Sequence, residues 1–159
     1  MNPRKLIIIT LLPLLMQTCD DNGGTYTQVK SIEDLLFRAI LAYREDNGLP
    51  LDQNPFVHQY IMVAEAQVYS SRMASGLVDL GTQDLAGHWE TIHEKLGGYN
   101  DQSLVHSTTY LDEDEILGEL LLQPGADSVL LEEVTQCGVG IETDGNGNNY
   151  VTVLLMKID

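Results

Sequence analysis

Apolar residues recur at helical spacing from Ile32 to Tyr43, with Leu35, Leu36, Ala39 and Ile40 between them, so one face of an early helix is apolar. Ser31 with Asp34 three residues on reads as a capping box at its start. Gly48 closes the helix, because glycine takes the left-handed conformation past a helix end without a Cβ penalty. Asn54 then offers an N-cap oxygen and Pro55 suits a first helical turn. This predicts a second helix over 55–74, with Phe56, Tyr60, Ile61, Ala64, Val68 and Met73 toward the core.

A long connection containing Gly81 follows, then a short helix over 88–96 ended by Gly97-Gly98. The β-formers of Ser103 to Tyr110 predict a strand. Asp112, Glu113, Asp114 and Glu115 place acids in the first turn of a helix, where its dipole favours them. That helix carries Ile116, Leu117, Leu120 and Leu121 and stops at Pro124-Gly125, with a helical turn expected over 128–133. Two strands, 137–141 and 150–156, are joined by Glu142 to Asn149, whose Gly and Asn residues accept positive φ. Asp144, Asn146 and Asn148 alternate like the first ligands of a calcium loop. However, Asn149 stands where glycine belongs and Leu155 where the closing glutamate belongs, so a hairpin turn is expected. The elements suit a single-domain α+β protein built as an α-β-α sandwich.

In their order these signals resemble the CAP superfamily, which takes in cysteine-rich secretory proteins, antigen 5 allergens and pathogenesis-related plant proteins. The resemblance runs through Gly48-Leu49-Pro50, Asn54-Pro55, Met73-Ala74, Gly76, Gly87-His88, Gly97-Gly98-Tyr99, Pro124-Gly125 and Cys137-Gly138-Val139-Gly140. It spans about Ile32 to Met156 and is nearest the short, disulfide-free bacterial branch. It implies the three-layer α-β-α sandwich of the CAP/SCP type.

Composition changes the picture at the N-terminus. Arg4 and Lys5 precede an apolar run from Leu6 to Met16, too short for a comfortable membrane span and broken by Pro13, so residues 1–18 read as an export signal. Cys19 follows at the place of the acylated cysteine of bacterial lipoproteins. Residues 19–30 then read as a flexible acidic tether and 31–159 as the domain. The whole chain has 24 acids, 8 bases and a net charge of −16. Losing residues 1–18 removes Arg4 and Lys5 and no acid, which leaves −18. Such an excess repels nucleic acid phosphates and gives no polybasic hold on an anionic membrane, so membrane attachment must come from a lipid on Cys19. With Cys19 acylated, only Cys137 remains and no intrachain disulfide can form; Cys137 reads as a small core hydrophobe.

Many CAP domains carry two histidines and two acids around a central cleft, and some hold a divalent cation there. The resemblance places the first histidine at His88 and one acid at Glu115. The second histidine position is Ala126, followed by Asp127, and the other acidic position falls in Ser103 to Ser107, where His106 could substitute. His88, His106 and Glu115 are therefore the cleft candidates, a three-ligand set for zinc or calcium with one position left to water. His93, five residues from His88, does not share its helical face well. No G-x-S-x-G, H-E-x-x-H, CxxC or phosphate-cradling loop occurs. The expectation is a lipid-anchored cell-envelope module, in the outer membrane and facing the periplasm or the outside. It would bind a small lipid or a protein rather than catalyse. A metal-dependent hydrolase with a reduced His/Glu site is the alternative.

Overall fold

The computed structural model describes residues 31–159. The expected signal, the tether and Cys19 lie outside the described residues. In chain order the elements are α1 (Ile32–Asp46), β1 (Val57–His58), α2 (Tyr60–Ala74), α3 (Ala86–Leu96), β2 (Tyr99–Thr108), α4 (Glu113–Leu121), α5 (Ala126–Leu130), β3 (Gln136–Thr143) and β4 (Asn149–Lys157). The four strands form one sheet in the order β1-β3-β4-β2. β1 runs parallel to β3, whereas β3 and β2 flank β4 antiparallel.

Local chemistry sets the boundaries of α1. Ser31 Oγ accepts the Asp34 N–H at 3.3 Å. At the other end Gly48 sits at φ +91 and lets the Leu49 N–H reach back to the Arg44 carbonyl at 2.9 Å. The Asp34 carboxylate does not complete a capping box but accepts from His58 Nδ1 at 3.1 Å.

The second helix begins later than Asn54-Pro55 predicts. Val57 N–H bonds to the Thr135 carbonyl at 3.0 Å and Gln59 N–H to the Cys137 carbonyl at 2.8 Å, so the sheet claims this backbone first. Gln59 then caps α2, its side-chain oxygen accepting the Ile61 N–H. The buried face of α2 also differs. Phe56 and Met73 are buried as expected, but the helix buries Met62, Ala66, Tyr69 and Ser70 and leaves Tyr60 76% and Val68 51% exposed. Because α2 is apolar almost all round, its periodicity selects no face. The glycines of β3 make the selection. A Cβ on Gly138 would lie 2.2 Å from backbone carbon of Met62, and one on Gly140 as close to that of Ala66.

The sheet is covered on both sides. Leu36, Ile40, Ile116, Leu120 and Leu130 meet Val139, Val153 and Leu155 on the α1–α4 side. Met62, Ala66, Tyr69 and Ile92 meet Leu154 and Met156 on the α2–α3 side. β4 is central, which is why it reads as a nearly continuous apolar run rather than an alternating one. Each fully buried Leu or Ile contributes about 1.5–3 kcal/mol of transfer free energy. Cys137 lies inside the α1–α4 core, and burial pushes its thiol pKa strongly up, so it is an inert hydrophobe.

Arg44 ties the end of α1 to the segment around the end of α5. Its guanidinium donates to the carbonyls of Leu130, Glu132 and Val134 and lies 4.3 Å over the Phe56 ring. The helix itself ends at Leu130, three residues before the predicted end. β2 starts four residues early, because a register irregularity between Tyr99 and Gln102, with Asn100 at φ +58, hides the strand pattern. The β3–β4 connection is a hairpin turn. Asp144 accepts the N–H groups of Asn146 and Asn148 at 2.8 and 2.9 Å, and the Asn148 amide at 2.9 Å. Those bonds, the Asn148 side chain foremost, hold the Asp144 carboxyl at about 2.

Candidate functional site

His88 occupies the first turn of α3 and is 7% exposed, turned toward α2. Nδ1 lies 2.7 Å from Glu65 Oε2, and Nε2 lies 3.4 Å from Arg72 Nη1. Arginine only donates, so Nε2 accepts from Arg72 and Nδ1–H donates to Glu65. The Tyr69 ring meets the imidazole edge-on at 5.2 Å. Both ring nitrogens are therefore engaged within the α2–α3 layer.

His106 stands elsewhere. Along β2, Leu104 points into the α1–α4 core while Val105 packs with the α2–α3 core. Strand alternation puts His106 on the same side as Leu104. There its Nε2 lies 3.0 Å from Glu119 Oε2 of α4. Hydrogen bonds from Thr108 and then from His106 hold the Glu119 carboxyl below its usual range. Glu115, one helical turn earlier, is exposed, and its backbone N–H is taken by the Asp112 cap at 3.2 Å. Ala126, at the expected second-histidine position, is fully buried in the α1–α4 core.

The sheet thus separates His88 from His106, and the structure does not bring the three cleft candidates together. Among the described residues no group of three or more His, Cys, Asp or Glu is arranged to hold a metal ion. The three candidates therefore form no converging ligand set for zinc or calcium, with His88 on the α2–α3 side of the sheet and His106 on the α1–α4 side.

Sequence reasoning missed those partners, Glu65 and Glu119, and missed His58 altogether. One signal was available: Glu65 is the only acid in α2 and Arg72 its only base, seven residues apart on one helical face. Every histidine of the chain meets a carboxylate from a different segment: His58 with Asp34, His88 with Glu65, His93 with Asp101 and His106 with Glu119.

No protein-family model matches the sequence, and no curated protein matches it. Solved structures do. The chain is similar to an outer surface protein from Borrelia burgdorferi, with a TM-score of 0.67 and 15% identity over 80% of this chain and 93% of that one. It is also similar to an extracellular protein containing an SCP domain from Bacillus anthracis str. Ames, with a TM-score of 0.60 and 16% identity over 80% of this chain. It spans 40% of that longer protein. The fold is SCP/CAP-like, a single small α+β domain with a mixed four-stranded sheet.

Proposed function

We propose that this chain is an exported CAP-like module, held to the cell envelope by a lipid on Cys19, that binds or docks rather than catalyses. The observation that carries the non-catalytic reading is the division of the histidines. His88 is committed to Glu65 and Arg72 on one side of the sheet and His106 to Glu119 on the other. Metal-assisted hydrolysis needs a cation with converging ligands and an open position for water, and this arrangement favours neither. The fold shared with an outer surface protein and with an extracellular SCP-domain protein supports export. Among the described residues no helix is long and apolar enough to cross a membrane. Attachment by a lipid on Cys19, in the outer membrane and facing the periplasm or the outside, is supported by the place of that cysteine directly after the apolar run Leu6 to Met16.

The tether is tested by Cys19→Ser. The variant is expected in the soluble fraction, without incorporation of labelled palmitate, whereas the parent chain partitions with membranes and carries the label. Unchanged membrane association of the variant would overturn the lipid-anchor reading.

A further inference from the structure

We propose that the groove between α1 and β1 binds a free α-amino acid with an aromatic or branched aliphatic side chain. Asp34, Phe37, Arg38 and Leu41 share one flank of α1 at helical spacing, and His58 closes it into an open groove of about 360 Å³. That volume lies at the small end of the ~300–1,000 Å³ range of small-molecule sites. The wall is aromatic. His58 stacks on Phe37 with ring centroids 4.5 Å apart and planes within 7°, and Phe37 also stacks on Phe56 at 5.5 Å.

Opposite charges stand one helical turn apart on the groove. Asp34 and Arg38 have the spacing at which helical ion pairs form, yet no salt bridge joins them, and Arg38 is exposed with no ion-pair partner among the described residues. Asp34 uses Oδ1 for His58 at 3.1 Å, which leaves Oδ2 for an ammonium. The planar guanidinium of Arg38 suits a carboxylate, which it can grip with two parallel N–H bonds. A ligand spanning both charges would lay its apolar side chain on Phe37 and Leu41.

The net charge narrows the ligand class. A chain at −16 repels a simple organic anion, whereas a zwitterion has no net charge to be repelled.

Equilibrium dialysis of the full chain against labelled L-phenylalanine tests this, with 3-phenylpropionate and 2-phenylethylamine as analogues that each lack one charge. Saturable binding at one site is expected, with each analogue weaker by roughly tenfold or more. Arg38→Ala should weaken L-phenylalanine by a similar factor, and because Arg38 is exposed and joins no ion pair among the described residues the melting temperature should stay unchanged. Three results would each overturn the proposal: no saturable binding, an analogue that binds as tightly as the amino acid, or an Arg38→Ala variant that binds as well as the parent. Neither the lipid on Cys19 nor the His88 layer enters this test, so its failure would leave the tethered-module reading standing.

Discussion

His88 Nδ1 lies 2.7 Å from Glu65 Oε2, and this contact fastens the first turn of α3 to the middle of α2. A histidine that resemblance assigns to a metal cleft serves here as a structural link between two helices.

That link should be measurable as stability. His88→Ala is expected to lower the unfolding free energy by about 1–3 kcal/mol, since it leaves the Glu65 and Arg72 groups without a partner. A urea double-mutant cycle with Glu65→Gln should show coupling between the two sites. Additive effects would mean that the pair carries no stability.

Gly140 makes the sharpest packing prediction. A Cβ there would lie 2.2 Å from the Ala66 backbone, so Gly140→Ala must push α2 off the sheet. A loss of about 1–3 kcal/mol or more is expected from overpacking. A Cβ added at Gly145 would meet no other side chain or backbone within 4 Å, so Gly145→Ala is the control and should change little.

The layers, the helix with Ser31 and Gly48 at its ends, and the final hairpin were all legible in the sequence, because caps and turns are local chemistry. The inward face of α2 was not. Tyr60, Ala64 and Val68 are as apolar as Met62 and Ala66, and only the contact with Gly138 and Gly140, far along the chain, decides between them. The site was legible as residue types but not as a constellation. Whether His88 and His106 share a side of the sheet depends on strand parity at β2, whose irregular start between Tyr99 and Gln102 leaves no pattern to read. Nor could His58 be picked out while its segment read as the start of a helix.

His58 gives the pH dependence. Burial lowers its pKa below the ordinary 6.5, and the neighbouring Asp34 only partly opposes that. Between the lowered value and about 6.5 the unfolded chain takes up a proton that the folded chain refuses, so this residue's contribution to stability falls as pH falls. Denaturation of the parent and of His58→Phe, from pH 8 down to pH 5, should show a shallower acid loss in the variant. Parallel curves would contradict the assignment.

Arg44 should tolerate no replacement well. Arg44→Lys keeps the charge but cannot reach the carbonyls of Leu130, Glu132 and Val134 together, and it loses the planar contact over Phe56. A loss of about 2–4 kcal/mol is expected, since bonds from a charged donor contribute about 1.5–3 kcal/mol each and a single ammonium retains part of them. A drop of less than about 1 kcal/mol by urea titration would show that the bridge matters little.

The most direct test of the non-catalytic reading is calorimetric titration of the full chain with zinc, beside His88→Ala. With His88 tied to Glu65 and His106 to Glu119, neither protein should give a stoichiometric isotherm, and the two traces should be alike. Tight one-to-one binding that the variant loses would contradict the reading, and would mean that the cleft reassembles around a metal.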